Sequence, residues 1–568
     1  MLRTVMVRQI AYFSMEVALD EGMPTYSGGL GVLAGDTLRS AADLGLPMIG
    51  VTMLWRKGHF FQVLDESGWQ HESAVEWSPD DWLTLTDTRV EVEIEGRKVA
   101  LRAWQYTITG ISGRVVPVLL IDSDLPENDP FDRTLTDYLY GGDSHYRLCQ
   151  EAVLGIGGVR MLRAFGYGDV ASFHLNESHA ALLALELLRE NLHSKQKRDE
   201  AIAAAKHRCV FTTHTPVPAA HDQFPEDLAL QVLGQERVET LRTLACCEGT
   251  LNMTRVALNL SRYVNGVTER HGEISRSLFP GYPIGSISNG VHSASWTAPA
   301  FQRLFDAHIP NWRSDFLALR YAESIDCAKI LAAHDETKRE LVDEANRLSN
   351  GGLDHHEFTI GFARRATGYK RPTLILRDRE RLRQIASKFG GLQLIFAGKA
   401  HPQDQEGKAL IREIVGAPAQ MPAGIKLVYL RNYDVRAAKL MVAGVDLWLN
   451  SPKPPMEASG TSGMKAAHNG VPSLSIYDGW WLEGCVEGVT GWGVGPRDRE
   501  ARQSDDEDAR DLYTVLEERI LPMYRHEKGR WSEIMRSTIA LNASFFNTHR
   551  MLQEYYVQAY REQHSIGQ

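Results

Sequence analysis

The chain has 568 residues, of which 43% are hydrophobic and 24% charged, and its formal net charge is −10. The length predicts two to four domains, or two large ones, and the composition is typical of a soluble globular protein, which excludes a disordered chain, a collagen-like fibre and a coiled coil. The acidic balance argues against nucleic acid and membrane surfaces as partners, but it allows a small basic pocket.

The sequence shows only weak targeting and redox signals and no metal-binding motif. The N-terminus lacks the apolar core and cleavage site of a signal peptide, and no run approaches the roughly 20 apolar residues of a membrane helix. None of the six cysteines forms a CxxC pair, and neither HExxH nor a Cys/His metal spacing occurs. We therefore expect reduced thiols, a cytoplasmic location and no metal.

The first part of the chain alternates strand-like and helix-like segments. Apolar runs predict strands at residues 8–13, 47–54, 172–175, 208–213 and 283–288, and helices at 32–44 and 180–192. A two-residue alternation over residues 89–108 predicts an antiparallel hairpin.

A glycine-containing break at residues 348–352 separates this part from a more regular one. Beyond it we expect strands at residues 358–363, 392–397, 425–430, 445–449 and 471–476, helices at 372–388, 407–415 and 435–443, and further helices from residue 508. Strand-helix alternation at this spacing predicts parallel sheets, in which ligands bind at the carboxyl ends of the strands.

Three segments after predicted strands are suited to anions. Ser27-Gly28-Gly29-Leu30-Gly31 precedes a helix, where backbone amides favour negative charge, although such turns also serve packing alone. Residues 364–371, RRATGYKR, place four cations directly after a strand and suggest a phosphate site, although a solvated basic face gives the same charge run. Residues 457–465, EASGTSGMK, combine small residues with a lysine that could form a Schiff base to pyridoxal phosphate, or be merely exposed.

Polar residues follow other strands as well. His214, Asn289 and His292 each come just after a predicted strand, where they could hydrogen-bond a sugar, although a lone histidine is more often structural. Acidic residues are too numerous for counting to exclude a two-carboxylate glycosidase.

Together these motifs resemble the glycogen/α-glucan phosphorylases, in the short bacterial and archaeal form. EASGTSGMK resembles the cofactor-lysine segment of that family and RRATGYKR its phosphate-binding segment. The segments SGGLG, HLNESHAALLALELL, FTTHTPVPAAHDQFP, SISNGVHSASW, IFAGKAHP and VYLRNYDVRAAKLMVAGVDLWLN occur in the family's order.

The resemblance implies the α/β GT-B architecture, with two Rossmann-like domains and the active site in the cleft between them. We expect an N-terminal domain at residues 1–350, a cofactor and phosphate domain at 351–530, and C-terminal helices at 531–568 that pack back on the N-terminal domain. The implied reaction is reversible phosphorolysis of α-1,4-glucan or maltodextrin by inorganic phosphate to glucose 1-phosphate. The cofactor would be pyridoxal 5′-phosphate, and the assembly a homodimer by family analogy.

The resemblance also implies roles for the residues that occupy the matching motif positions. Lys465 resembles the Schiff-base lysine, and the residues expected around the cofactor are Arg364, Tyr433, Thr461, Ser462 and Trp296. The substrate phosphate and the chemistry are assigned to Arg365, Lys370, His214 and the Gly29 backbone. His214 is also expected to contact the glucosyl group, with Leu30, Asn289, Glu457, Ser459 and Gly460.

Some positions depart from the family pattern. Asp434 replaces a basic residue after Tyr433, which weakens one expected contact to the cofactor phosphate, and Arg364 stands where lysine is common. The chain is also shorter than the animal enzymes, so their N-terminal regulatory segment is expected to be missing. The alternatives are a nucleotide-sugar glucosyltransferase of the glycogen or starch synthase type and a glucan-binding protein with a decayed site.

Overall fold

The computed structural model describes residues 9–194, 196–217, 221–247, 249–349, 351–498 and 504–561. The chain forms two compact units. Unit 1 comprises Met1–Phe60, Ala74–Ile287 and Met551–Gln568, and unit 2 comprises Phe61–Ser73 and Ser288–Arg550. Arg8 and Asn350, which begin an expected strand and end an expected domain, lie outside the described residues.

The units divide the chain at residue 287 and not at 350. Residues 288–349 belong to unit 2 because their helices bury Phe301, Phe305 and Ile330 in the same core as Phe358 and Leu392 of the strands that follow. At the C-terminal end, only the segment from Met551 onward belongs to unit 1.

The strands of the described residues are numbered in chain order. They are β1 Gln9–Ser14, β2 Met48–Met53, β3 Phe61–Leu64, β4 Gln70–Ser73, β5 Thr84–Ile94, β6 Arg97–Thr109, β7 Val115–Asp122, β8 Val170–Asn176, β9 Cys209–Thr212, β10 Gln223–Pro225, β11 Cys246–Cys247, β12 Thr250–Asn252, β13 Tyr263–Gly266, β14 Ile284–Ser286, β15 Phe358–Ala363, β16 Leu392–Ala397, β17 Ile425–Leu430, β18 Leu447–Asn450, β19 Ser473–Ile476 and β20 Gly491–Val494.

The α-helices are numbered in the same way. They are α1 Gly29–Leu44, α2 Pro130–Arg133, α3 Ser144–Ala152, α4 Gly158–Ala164, α5 Leu182–His193, α6 Arg198–Arg208, α7 Glu226–Leu233, α8 Gln235–Ala245, α9 Met253–Asn259, α10 Glu269–Leu278, α11 Ser293–Trp296, α12 Pro299–His308, α13 Cys327–Ser349, α14 Arg379–Phe389, α15 Gln405–Gly416, α16 Val435–Gly444, α17 Ser462–Ala467, α18 Trp481–Gly484, α19 Asp505–Val515, α20 Leu521–His526, α21 Lys528–Ser537 and α22 Thr548–Tyr555.

Unit 1 is built on a sheet with the strand order β14-β13-β9-β8-β1-β2-β7-β6-β5. The strands from β14 to β7 run parallel, whereas β5, β6 and β7 pair antiparallel, which confirms the predicted hairpin. Parallel strands covered on both faces are apolar throughout, and Phe13 and Phe173 at the centre of the sheet are completely buried. The sheet grows outward from β1 and β8 in opposite directions, so its switch point lies between these two strands.

Unit 2 contains a parallel sheet with the order β17-β16-β15-β18-β19-β20. Its order reverses between β15 and β18, and a small β3–β4 hairpin belongs to the same unit. Both units are therefore Rossmann-like, as the strand-helix alternation predicted. No helix in the described part of the chain is both long and apolar enough to cross a membrane.

Candidate active site

The predicted basic segment of unit 2 spans the carboxyl ends of three neighbouring strands. Arg364 follows β15 directly, and its amide donates to the carbonyl of Ala397, the last residue of β16, over 3.2 Å. Ser451, just after β18, donates through Oγ to the carbonyl of Lys370 at 3.2 Å and to that of Arg371 at 3.0 Å. The segment thus lies at the switch point of the sheet, where ligands bind in doubly wound folds.

Glu457 joins two of the predicted cations. Its Oε2 lies 2.7 Å from Nη2 of Arg364 and 2.5 Å from Nζ of Lys370, and all three side chains are less than one tenth exposed. Burial opposes ionisation of Glu457, but the charges of Arg364 and Lys370 outweigh it and hold the Glu457 pKa below its usual range. Burial, followed by the like charge of Arg364, lowers the pKa of Lys370 to about 7 despite the ion pair.

The other two arginines of the segment have contrasting surroundings. Arg365 is exposed, and its side chain forms no hydrogen bond or ion pair with the described residues. Arg371 is buried, and its guanidinium contacts two carbonyls and two carboxylates, those of Ser451, Pro452, Asp505 and Asp508. Arg371 therefore attaches α19 to the strand ends, which corrects the expectation that all four cations of the segment face phosphate.

The residues after β19 fix the loop that carries Glu457. Oδ2 of Asp478 accepts the amide of Glu457 at 2.8 Å, and the amide of Trp480 donates to the carbonyl of Ser459 at 2.9 Å. Gly460 has a φ of 84°, and a Cβ there would lie 3.3 Å from Cδ of Glu457. Burial raises the pKa of Asp478 to about 7, against the effect of the amide hydrogen bond. This loop therefore needs both a glycine and the 478–480 segment.

Lys465 lies on the short helix α17. Its Nζ is 3.9 Å from the centre of the Trp296 ring, and the residue is only 8% exposed. Thr461 precedes the helix, and Oγ of Ser462 accepts the indole N–H of Trp448 at 3.1 Å. Of the predicted cofactor residues, Trp296 thus contacts the buried amine of Lys465, and Thr461 and Ser462 lie at the start of the helix that carries it.

Tyr433 is half-buried on the turn between β17 and α16. Asn432 before it has a φ of 51°, and its amide donates to Oε1 of Gln62 at 2.7 Å. Asp434 after it accepts the amide of Ala437 at 2.8 Å and caps α16. The acidic residue that departs from the family pattern thus has a structural use as a helix cap.

Several buried polar atoms near these strand ends have no hydrogen-bond partner among the described residues. They include Nη1 of Arg364, Oγ of Ser459 and Oδ1 of Asn450 at the end of β18, and Oδ1 of Asn289, which follows β14, is also without one. Buried polar atoms are nearly always paired, so such atoms suggest ligand contacts. His292, which the sequence grouped with Asn289, instead accepts the amide of Ser295 at 3.2 Å and caps α11.

The glycine-rich segment of unit 1 lies at the start of α1. The helix begins at Gly29 and not at the predicted residue 32, so the amides of Gly29 and Leu30 lie in its first turn, where intrahelical acceptors are missing. Glu16, just after β1, orients this segment. Its carboxylate accepts the amides of Ser27 at 2.6 Å and Gly28 at 3.0 Å and the hydroxyl of Tyr140 at 2.9 Å.

His214 follows β9 and is held by the last residue of β8 and by the residue after it. Its amide donates to Oε2 of Glu177 at 2.7 Å, and its Nε2 lies 2.7 Å from Oδ1 of Asn176. Burial lowers the pKa of His214 to about 4, although Glu177 opposes the shift. The imidazole is therefore neutral, and because Oδ1 of Asn176 can only accept, Nε2 carries the proton. Glu177 itself adopts a φ of 78°, which is unusual for a residue other than glycine.

Comparison with known proteins identifies the family. Residues 232–487 match the carbohydrate phosphorylase family model. The chain is 39% identical to the maltodextrin phosphorylase of Thermococcus litoralis, over 96% of this chain and 70% of that protein. This chain belongs to the carbohydrate phosphorylase family.

Other phosphorylases give the same result. The glycogen phosphorylase of Mycobacterium tuberculosis is 38% identical over 96% of this chain and 70% of its own length. That of Aquifex aeolicus is 33% identical over 96% of this chain and 85% of its own length. The two Rossmann-like units thus agree with the GT-B fold class of the phosphorylases.

Within unit 2 of this phosphorylase, the structure brings Arg364, Lys370 and Glu457 into direct contact. It also adds residues to which the sequence assigned no role, namely Asp478, Trp480 and Trp448 in unit 2, and Glu16, Asn176 and Glu177 in unit 1. Glu16 and Glu177 follow the two strands at the switch point of unit 1, so the strand-end rule could have found them.

Proposed function

We propose that this protein catalyses reversible phosphorolysis of an α-1,4-glucan or maltodextrin, using inorganic phosphate to release glucose 1-phosphate. The observation that carries the proposal is the Arg364–Glu457–Lys370 cluster in the same unit as the buried amine of Lys465. The names of the relatives, maltodextrin and glycogen phosphorylase, supply the substrate class.

The substrate phosphate would bind to Arg365, Lys370 and the amide of Gly29. Arg365 is exposed and carries a planar fork of donors, whereas Lys370 offers a compact charge. The pKa of about 7 for Lys370 reflects burial and a neighbouring cation, and an added phosphate would favour its protonated form. Gly29 contributes an amide from the first turn of α1, where anions are favoured.

Pyridoxal 5′-phosphate is the cofactor that the residues fit. Lys465 supplies a buried amine for its aldehyde, Trp296 covers that amine, and the unpartnered Nη1 of Arg364 supplies a donor for its phosphate. Tyr433, Thr461 and Ser462 would complete the surroundings. When bound, the cofactor supplies a phosphate group whose second pKa of about 6 suits proton exchange with the substrate phosphate.

The glucosyl unit would be held by hydrogen bonds from polar residues. Glu457, Ser459 and Asn289 offer a carboxylate, an unpartnered hydroxyl and an unpartnered amide oxygen. Leu30, Gly460 and the neutral His214 complete the set. In the reaction a phosphate oxygen bonds to C1 as the C1–O4 bond breaks, and O4 of the shortened glucan takes up a proton.

Borohydride reduction followed by peptide mapping tests the cofactor proposal. We expect a pyridoxyl group on Lys465, and its absence from fully loaded protein would overturn this assignment. The reaction is tested with maltodextrin, from which glucose 1-phosphate should form only when phosphate is added. Glucosyl transfer from a nucleotide sugar without phosphate would instead favour the synthase alternative. A homodimer and a cytoplasmic location stay predictions.

A further inference from the structure

The β3–β4 hairpin contacts the loops that follow β16 and β17 in unit 2. The chain leaves unit 1 after Phe60 and returns to it at Ala74, and the residues between them belong to unit 2. Gln62 on β3 and Gln70 on β4 are only 2% and 0% exposed. A buried amide is costly unless its donors and its acceptor are paired, so the partners of these two side chains show what the hairpin holds in place.

Gln62 and Asn432 are joined by two hydrogen bonds. The backbone amide of Gln62 donates to Oδ1 of Asn432 at 3.1 Å, and Oε1 of Gln62 accepts the amide of Asn432 at 2.7 Å. Asn432 has a φ of 51°, in the left-handed region that residues with a side chain disfavour. Because the two bonds hold Asn432 in this conformation, they also fix the direction in which the chain continues to Tyr433.

The two glutamines share the loop after β16 but not the turn after β17. Nε2 of Gln62 donates to the carbonyl of Gly398 and to Oε1 of Gln70, each at 3.0 Å. Gln70 binds Ala400 with both ends of its amide, since Nε2 donates to the carbonyl and Oε1 accepts the amide, each at 2.9 Å. Within the described residues Gln70 forms no hydrogen bond to Asn432, so of the two glutamines it is Gln62 that holds the turn after β17.

We propose that Gln62 is a positioning residue for the cofactor phosphate. By holding Asn432 in its left-handed conformation, Gln62 directs Tyr433 so that its hydroxyl can donate to that phosphate. This inference rests on the proposed function, in which Tyr433 belongs to the surroundings of the cofactor. The placement matters in this chain because Asp434 brings no positive charge to the turn and instead caps α16. A neutral donor must then be well placed to contribute.

Gln62→Met tests the proposal, with Gln70→Met as the matched control. Methionine is close to glutamine in length and volume but has no amide, so each variant keeps the packing and loses hydrogen bonds. The full chain is loaded with pyridoxal 5′-phosphate or with pyridoxal, which lacks the phosphate, and release during dialysis is followed by near-ultraviolet absorbance. We expect Gln62→Met to release pyridoxal 5′-phosphate at least about tenfold faster than the wild type, as the loss of one hydrogen bond to a charged group would cause. It should release pyridoxal at the wild-type rate, and Gln70→Met should release both like the wild type.

The thermal midpoint separates positioning from a general loosening of the hairpin. Gln62→Met removes a partner from the amide of Asn432 and from the carbonyl of Gly398, and Gln70→Met does the same to the amide and carbonyl of Ala400. We therefore expect the two variants to lose similar amounts of stability. Equally fast release of pyridoxal 5′-phosphate from both variants would show that the hairpin is a structural support and would overturn the proposal. Faster release of pyridoxal from Gln62→Met would overturn it as well, because the effect would not involve the phosphate.

Asn432→Ala breaks the same contact from its other side. Alanine has no side-chain acceptor and disfavours a positive φ, and Asn432 is only half-buried, so this variant keeps the test open if Gln62→Met does not fold. Release of pyridoxal 5′-phosphate should again be at least about tenfold faster than from the wild type. Release at the wild-type rate from a folded Asn432→Ala protein would contradict the role given to this contact.

A double-mutant cycle with Tyr433→Phe tests whether Gln62 acts through Tyr433. If it does, Gln62→Met combined with Tyr433→Phe should release pyridoxal 5′-phosphate no faster than Tyr433→Phe alone. Additive effects of the two substitutions would overturn the proposal, since Gln62 would then act on another group. All these outcomes compare variants of a protein that binds the cofactor. A wild-type protein without a pyridoxyl group on Lys465 would instead contradict the proposed function.

Discussion

Nζ of Lys465 lies 3.9 Å from the centre of the Trp296 ring. The two residues are 169 positions apart in the chain, and both are almost completely buried. A cation over an indole face gains electrostatic attraction that grows as water is excluded. The pair keeps a reactive amine in a defined place within unit 2.

Lys465→Ala should abolish glucose 1-phosphate formation and leave the fold largely intact. The substitution removes the only atom proposed to bond covalently to the cofactor, and the helix that carries it tolerates alanine well. Activity assays, cofactor absorbance and the thermal midpoint should be measured together. Lys98→Ala, at a lysine whose side chain is 79% exposed, is the matched control and should behave like the wild type. Wild-type activity in Lys465→Ala would contradict the assignment.

Trp296→Ala should weaken retention of the cofactor more than Trp296→Phe does. Trp296 covers the nitrogen proposed to bond to the cofactor, so alanine would admit water to that bond, whereas phenylalanine keeps a ring face over it. Cofactor release during dialysis, followed by near-ultraviolet absorbance, measures the difference. Equal retention in the two variants would show that the ring face has no role.

Arg365→Ala should weaken phosphate binding, whereas Arg371→Ala should destabilise the fold. Arg365 is exposed, so its loss should raise the KM for phosphate and leave the thermal midpoint unchanged. Arg371 attaches α19 through Asp505 and Asp508, so its loss should destabilise the fold by about 2 kcal/mol. Phosphate titrations and thermal unfolding of both variants separate the two roles. An unchanged phosphate dependence in Arg365→Ala would remove that residue from the site.

Strands buried on both faces were the most predictable part of the fold. The bounds of β15, β16 and β17 match the apolar runs FTIGFA, LQLIFA and IKLVYL to the residue. By contrast, β20 has the short sequence GWGV, whose glycines give no strand signal. The helix expected at 372–388 begins only at Arg379, because Asp378 caps it by accepting the amide of Arg381 at 2.8 Å.

Site residues that belong to a sequence motif could be predicted. Those whose role depends on a tertiary contact could not. Charge alone could not separate Arg365 from Arg371, because only Arg371 is held by acidic residues, and these lie more than 130 positions away. Asp478 was equally hidden, since it acts on the backbone amide of Glu457 and no local pattern marks such a bond.

Sulfate affinity should fall as pH rises above about 7, because Lys370 loses its proton there. The unfolded chain keeps that proton until about pH 10.5. Between these values the unfolded state binds more protons, so the contribution of Lys370 to stability increases with pH while anion binding weakens. Lys370→Arg should remove the pH dependence, since arginine stays charged. A wild-type affinity that is constant from pH 6 to 9 would contradict a role for the Lys370 charge.

Gly29→Ala and Gly31→Ala should distinguish a glycine needed for ligand binding from a glycine needed for packing of the fold. A Cβ at Gly29 would meet no atom within 4 Å, so the alanine should leave the thermal midpoint unchanged. The same Cβ would stand beside the amides proposed to bind phosphate, and we expect the KM for phosphate to rise about tenfold, as the loss of one hydrogen bond to a charged group would cause. At Gly31 a Cβ would lie 2.7 Å from both Oε2 of Glu16 and Cβ of Tyr26, so that alanine should lower the thermal midpoint. If Gly29→Ala lowered the midpoint and left the KM unchanged, the glycine would serve the fold and not the phosphate.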